Sequence, residues 1–287
     1  MKKESSLILE GGGMRGAYTA GVMQFFLEKE LELPYVIGVS AGICQAMSYV
    51  SKQHGRNKQV TIEMAVDPRY IRYKGILDGT GLFNMDFIFD QIPNEIVKYD
   101  YEAFRKSSQK LVAVATDCKT GRPVYLDCHD STSNDELNMM VRASSSLPLF
   151  APVVKLRDME LLDGGISDSI PIEKAISDGN EKNIVVLTRC YGYRKKPSRG
   201  LILYKVLLGS GCKGAIEALK NRYKNYNKAL DDLDKYRNDG LAYVIAPSRD
   251  LNIKRAEKDI EKLEQLYELG YHDAEQQYDD IISYLEK

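Results

Sequence analysis

Apolar runs alternate with amphipathic stretches through the first two thirds of the chain. Residues 6–10, 35–39, 111–117, 123–126, 160–162, 183–188 and 241–246 have the length and the aliphatic or aromatic content of strands. Segments 6–10, 35–39, 111–117 and 183–188 show little alternation of polar and apolar positions, the pattern of strands covered on both faces. Between the strands, residues 17–29, 41–52, 134–143 and 171–177 read as helices. This alternation predicts an α/β fold with a mostly parallel sheet and helices on both sides.

The last third changes character. Residues 194–228 hold ten Lys or Arg against one acid, Glu217, whereas residues 229–287 hold fifteen acids against eight bases. Within the acidic part Ile260, Tyr267, Ala274 and Ile281 recur at heptad spacing, and Tyr271, Tyr278 and Leu285 form a second row. These rows predict a terminal amphipathic helix. The heptads are few, so docking on its own chain is expected rather than pairing with a partner. The basic stretch contains Leu201-Ile202-Leu203-Tyr204-Lys205-Val206-Leu207-Leu208. Peripheral membrane contact through residues 194–228 is one reading of it; the expected one is a solvated basic face over the core, with the leucines buried.

Composition narrows the class without deciding it. A chain of 287 residues with 44% hydrophobic and 28% charged content is an ordinary globular protein. A net charge of −1 gives no global attraction to nucleic acid or membrane. Cys44, Cys118, Cys128, Cys190 and Cys212 are widely spaced with no C-x-x-C pair, which fits reduced thiols rather than a disulfide framework or a zinc site. Met1-Lys2-Lys3-Glu4-Ser5-Ser6 runs straight into an apolar strand with no signal-peptide pattern, and no apolar run is long enough to span a bilayer. The expected location is cytoplasmic.

Two glycine-bearing turns carry the chemistry. Gly38-Val39-Ser40-Ala41-Gly42 has the G-x-S-x-G form that places a serine on a sharp strand-to-helix turn. Gly11-Gly12-Gly13-Met14-Arg15-Gly16 follows another strand, and its backbone N–H groups suit a developing oxyanion. Serine needs a base to take its proton. His54, His129 and His272 are the only histidines; His272 alone follows in the order that a Ser–acid–His triad demands, and its helical, charged setting reads as surface. Asp163, at a strand end before Gly164-Gly165, is the alternative base. Cys44 reads as a small buried side chain, and Asp117 as the cap of a turn between two strands.

These motifs, with Ala143-Ser144-x-Ser146-x-Pro148-x-Phe150-x-Pro152 and Asp163-Gly164-Gly165 followed by Asp168 and Pro171, resemble the patatin-like phospholipases in order and spacing over residues 5–190. The resemblance implies a three-layer α/β/α sandwich and a Ser–Asp dyad in place of a triad. It also implies hydrolysis of lipid esters, those of phospholipid or lysophospholipid, without metal or organic cofactor. It assigns Ser40 as nucleophile, Asp163 as base, Gly11, Gly12 and Gly13 as the oxyanion turn with Arg15 positioning it, and Gly38 and Gly42 as the glycines of the elbow. Ser169 departs from the family pattern, where asparagine is common. On this basis residues 1–195 form the catalytic domain. Residues 196–287 form a mostly helical region with one strand near 241–246, packed on that domain.

Other readings stay open. A general carboxylesterase fits the same residues. Gly11, Gly13 and Gly16 also match the dinucleotide fingerprint, but Ser40 stands where the ribose-binding acid belongs, and no Gly-Lys-Ser/Thr follows the turn. A membrane-binding protein without catalysis is a third reading.

Overall fold

A computed structural model describes residues 4–198 and 200–287. The readings made above for Met1-Lys2-Lys3 and for Arg199 lie outside these residues. Eight strands form one sheet: β1 (Ser5–Leu9), β2 (Tyr35–Val39), β3 (Lys110–Asp117), β4 (Pro123–Asp127), β5 (Val154–Leu156), β6 (Met159–Asp163), β7 (Lys182–Val186) and β8 (Ala242–Ile245). The neighbours β8, β7, β1, β2 and β3 are parallel; β4 and β6 pair antiparallel with β3, and β5 pairs antiparallel with β6.

The helices are α1 (Gly16–Glu28), α2 (Ala41–Val50), α3 (Arg56–Thr61), α4 (Gly75–Asp78), α5 (Tyr101–Lys106), α6 (Asn134–Ser144), α7 (Ile172–Ser177), α8 (Leu201–Leu208), α9 (Lys213–Asn238), α10 (Ile260–Gln276) and α11 (Tyr278–Glu286). Alternate residues of the central strands feed two separate cores, as the period of two requires. Leu7, Leu9, Val36, Leu111 and Ala113 pack with α1, α2, α6 and α10. Ile8, Ile37, Val39, Val112 and Val114 pack with α7 and α9 on the other face. The result is the three-layer α/β/α arrangement.

Where α1 crosses α10, the backbones come close enough that a Cβ on Gly21 would lie 2.0 Å from the Tyr267 carbonyl oxygen. The buried Asp273 of α10 accepts the Tyr18 hydroxyl of α1 at 3.0 Å and the Ser248 N–H at 3.0 Å, fixing the helix on the sheet. The predicted terminal helix is two helices, broken at Gln277, whose side-chain amide donates to the Asp273 carbonyl at 2.8 Å. Tyr267, Ala274 and Ile281 of the first heptad row are buried.

Two further features depart from the sequence pattern. β5 is only three residues long, and alternation over Val154–Leu156 gives too little signal to separate it from loop. Between β2 and β3 lie short helices and a π-helical turn, Phe87–Ile96, with Pro93 inside it. Proline supplies no N–H, so regular α-helical bonding cannot continue through it. The expected burial of the leucines in 201–208 is incorrect: Ile202 is 81% exposed and Val206 74%, with Leu203 and Leu207 also on the outer face. Leu201, Tyr204 and Leu208 alone pack inward, because a single helix on the protein edge has one face to bury. No helix among the described residues is long and apolar enough to cross a membrane.

Candidate active site

Strand register alone brings two chain ends together. β2 runs along one edge of β3 and ends with Val39 opposite Val114. β6 approaches from the opposite direction and ends with Asp163 opposite Ala115. Both occupy the same edge, because Ala115 also pairs with Val124 of β4 on the other. Ser40, the residue after β2, therefore meets the last residue of β6. β1 ends one position earlier, with Leu9 beside Gly38, so the glycine turn leaves the sheet next to Ser40.

Ser40 adopts φ 54°, and its N–H donates to Ser144 Oγ at 3.0 Å. That left-handed conformation costs a non-glycine residue on the order of 1–3 kcal/mol and presents the side chain at the turn. The next residue begins α2. A Cβ on Gly42 would lie 2.3 Å from the Leu9 carbonyl oxygen, so only glycine lets the helix start this close to β1. Gly38 is enclosed in the same way by the backbone of Ile43.

The Gly11–Gly13 turn passes against Ser40: a Cβ on Gly11 would lie 2.8 Å from Ser40 Cβ. Among the described residues no acceptor takes the N–H of Gly11, Gly12 or Gly13, whereas the Met14 N–H donates to the Arg255 carbonyl at 3.0 Å. Gly13 has φ +59°, and Arg255 backbone fills the space a side chain there would need. The Arg15 guanidinium reaches the Ile253 carbonyl at 3.4 Å. Its burial, and then the nearby Arg189 and Arg255, push its pKa down to about 10. Glu10, buried below the turn, accepts the Thr188 N–H at 2.6 Å and the Tyr226 hydroxyl at 2.7 Å.

Asp163 is buried, accepts the Gly165 N–H at 2.7 Å and lines the same cavity as Ser40. Burial pushes its carboxyl above the ordinary aspartate range; Arg222, the Ser40 hydroxyl, the Gly165 N–H and Arg255 pull in the other direction. Its backbone is pinned twice, by the Thr116 hydroxyl donating to its carbonyl at 2.8 Å and by its own N–H donating to the Ser146 carbonyl at 2.9 Å. The end of α6 thus ties the two residues together, Ser144 in its last position holding Ser40 and Ser146 just beyond it holding Asp163. Asp168 accepts the Tyr125 hydroxyl at 2.9 Å, and its burial raises it to about 6. Ser169, at the position where the family often has asparagine, donates to the Gly165 carbonyl at 2.8 Å.

Ser40 lines two cavities of opposite character. One, of about 270 Å³, is bounded by the glycine turn, Asp163 and a group of cationic side chains. The other, of about 130 Å³, is mostly apolar, with Met14, Met47, Tyr70, Met85, Ile88 and Val141 in its wall. Neither cavity is lined by a histidine. His272 is exposed and contacts Glu275, His54 is exposed, and His129 stacks on Phe104 at 4.5 Å. The half-buried Cys44 is a thiol whose pKa burial pushes up to about 11; its sulfur touches Ser145 Oγ at 3.5 Å. Asp117 caps its turn by accepting the Thr120 N–H at 2.7 Å.

The residues that the motifs did not announce are Arg189, Lys195, Arg222, Tyr226 and Arg255. Lys195 and Arg222 belong to the basic stretch that reads as a solvated surface, yet both turn inward onto the cavity. Only the charge excess of 194–228 hinted at them. Arg255 sits in an acidic region with no local signal at all.

Comparison with known proteins comes to the same region. The sequence model described as patatin-like phospholipase matches residues 7–176, and a second, described as a domain of unknown function, matches residues 212–286. The uncharacterized protein YjjU of Escherichia coli is 26% identical over 186 residues, covering 64% of this chain and 51% of that protein; the match thus spans about half its length. The probable lipid hydrolase 463L of Invertebrate iridescent virus 6 is 24% identical over 285 residues, covering 91% of this chain and 85% of that protein. Among solved structures, VipD from Legionella pneumophila superposes with a TM-score of 0.53 at 12% identity, covering 98% of this chain and 67% of that one, a likeness of fold.

Proposed function

Since the chain belongs to the patatin-like phospholipase family, we propose that it hydrolyses carboxylic ester bonds of lipids through an acyl-serine intermediate, with Ser40 as nucleophile and Asp163 as base. The observation that carries this reading is the placement of Ser40 and the buried Asp163 on one cavity by strand register, with the unengaged amides of Gly11, Gly12 and Gly13 beside them. Ser40 Oγ attacks the ester carbonyl while Asp163 accepts its proton. A carboxylate whose pKa lies above the usual range accepts that proton more readily than an exposed one. The tetrahedral oxyanion is stabilised by the unengaged amides of Gly11, Gly12 and Gly13 and by the N-terminus of α2. Asp163 then protonates the leaving alcohol and activates the water that releases the acid. The apolar cavity suits the acyl chain.

Turnover of a short-chain chromogenic ester tests the assignment. Ser40→Ala should abolish acyl-enzyme turnover, and Asp163→Asn should reduce kcat by at least about 10³-fold, by analogy with loss of an acid–base or triad partner. Hydrolysis by either variant at the wild-type rate would refute the dyad.

Access to lipid is supported by the exposed face of α8. Ile202, Leu203, Val206 and Leu207 point outward beside the exposed Lys205, with Lys196 and Lys213 flanking the helix. We read this face as a peripheral contact with an anionic lipid surface. Vesicles containing anionic phospholipid should float with the wild type, and Ile202→Glu with Val206→Glu should abolish the association. Unchanged flotation of that double variant would remove α8 from the account.

A further inference from the structure

No imidazole lines the cavity that holds Asp163, so other groups must keep its buried carboxylate ionised. A carboxylate enclosed by protein takes up a proton above its ordinary pKa unless an opposite charge or hydrogen-bond donors stand close. Asp163 is 3% exposed, and the Gly165 N–H reaches one of its oxygens at 2.7 Å.

Helix α9 supplies both a charge and a clamp at this point. Arg222 Nε donates to the Gly165 carbonyl, which also accepts the Ser169 hydroxyl at 2.8 Å. Gly165 is thus held at both ends, its N–H on Asp163 and its carbonyl by Arg222 and Ser169. A Cβ on Gly165 would stand 3.0 Å from Asp163 Oδ1 and 3.2 Å from Arg222 Nη2, so carboxylate and guanidinium flank one small residue. Among the described residues Arg222 forms no ion pair within 4.0 Å. Of the groups that oppose the effect of burial on Asp163, Arg222 comes first, ahead of the Ser40 hydroxyl, the Gly165 N–H and Arg255.

The helix is fixed where it meets the site. At its start the Ala215 N–H donates to the Cys118 carbonyl at 3.1 Å, and a Cβ on Gly214 would lie 2.4 Å from the Gly121 nitrogen. One turn beyond Arg222, the buried Tyr226 donates to Glu10 at 2.7 Å. Residues four apart share a helix face. One face of α9 therefore meets both the Asp163 turn and the residue before the glycine turn. Other ionisable groups surround the base. Arg255 comes from the segment before α10, and Cys44 of α2 is held neutral by a pKa pushed up to about 11. Glu10, Arg15, Arg189, Tyr193, Lys195 and Tyr226 line the same cavity. Among the described residues Arg222 is the one cation that hydrogen-bonds the Asp163-Gly164-Gly165 turn.

We propose, on the ester-hydrolase reading above, that Arg222 is the positioning residue of the base. It fixes the Gly165 turn that holds the Asp163 carboxylate, and its charge keeps that carboxylate ionised to receive the Ser40 proton. A guanidinium suits both tasks, because it stays charged across the working pH range and donates from a rigid planar fork. Arg222 lies within residues 212–286, so the region matched as a domain of unknown function helps to set the pH range of the base.

The pH profile of kcat/KM for p-nitrophenyl butyrate, a neutral ester, tests this. Only ionised Asp163 takes the proton, so removing a nearby positive charge raises its pKa and moves the acid limb upward. Arg222→Gln should shift that limb by about one pH unit or more, the size of an opposite charge within about 4–6 Å. The plateau at higher pH should stay within about tenfold of wild type. Arg222→Lys, which restores the charge without the fork, should return the limb most of the way. Arg222→Met should shift it as the glutamine variant does, and carries the test if that variant does not fold. Arg189→Gln removes a cation from the same cavity and should shift the limb less than Arg222→Gln. A rate lowered equally at every pH, with the limb unmoved, would make Arg222 a structural contact and overturn the proposal. Equal shifts in Arg189→Gln and Arg222→Gln would overturn it too, since the limb would then respond to cavity charge at large. Absence of hydrolysis by the wild type at every pH would overturn the ester-hydrolase reading itself. An unmoved limb in an active enzyme leaves that reading standing.

Discussion

The Ser40–Asp163 pair sets two properties of the molecule in opposite directions. Folding raises the Asp163 pKa chiefly by burial, so the folded chain holds that proton more tightly than the unfolded one. The sign follows: the buried carboxylate costs stability in full above its folded pKa, and the cost fades as pH falls from there toward the unfolded value of about 3.9, below which it is gone. Asp163→Asn should therefore raise Tm at neutral pH while removing activity, and the Tm difference should shrink toward pH 4. A variant that melts lower than wild type at pH 7, with no narrowing in acid, would contradict this. The same shift sets the acid limb of kcat/KM above the ordinary aspartate range, because only the ionised carboxylate takes the Ser40 proton. Ser40 and Asp163 were legible in the sequence as candidates because glycines flank both, and Gly38, Gly42 and Gly164 each mark a close approach of backbone. Lys195, Arg222 and Arg255 were not, since their meeting depends on how residues beyond 190 fold back over the sheet.

At the scale of elements the site is a consequence of strand length. β2 stops one residue short of where β6 arrives on the same edge of β3, and the gap is closed by Ser40 and Asp163. Ser144 and Ser146, at and just past the end of α6, lock that junction. Ser144→Ala leaves the Ser40 N–H without its acceptor, and kcat should fall about tenfold, the loss expected for one buried hydrogen bond, with KM little changed. A wild-type kcat would show that the elbow holds its shape unaided. Helix packing offers a separate check. A Cβ on Gly270 would lie 2.0 Å from the Tyr18 carbonyl oxygen, so Gly270→Ala must push α10 off α1. About 1–3 kcal/mol of destabilisation is expected from urea unfolding, as for overpacked cores. The strands over 6–10, 35–39 and 111–117 could be read from aliphatic runs alone. The helices α3, α4 and α5 could not, because four to six residues carry too little of the 3.6-residue period, and the π-helical turn around Pro93 follows neither repeat.

At the scale of the whole molecule, Ser40 lies at the boundary between an apolar cavity and a cationic one, and the two are built from different parts of the chain. The apolar cavity comes from residues between 13 and 145, whereas four of the five cations lining the other, Arg189, Lys195, Arg222 and Arg255, come after 188. The glycine turn is also held from both ends, by β1 and by the Arg255 carbonyl on Met14. The fold class was legible because strand–helix alternation is a local pattern. The part played by residues 194–287 was hidden because net charge does not tell an inward-facing cation from a solvated one. The proposed hydrolysis rests on Ser40 being the nucleophile, and peptide mapping by mass spectrometry after treatment with a fluorophosphonate tests that most directly. The expected result is a single phosphonyl adduct on Ser40 in the wild type, absent from Ser40→Ala and formed far more slowly in Asp163→Asn. An adduct on any other residue, or labelling of Asp163→Asn at the wild-type rate, would contradict it.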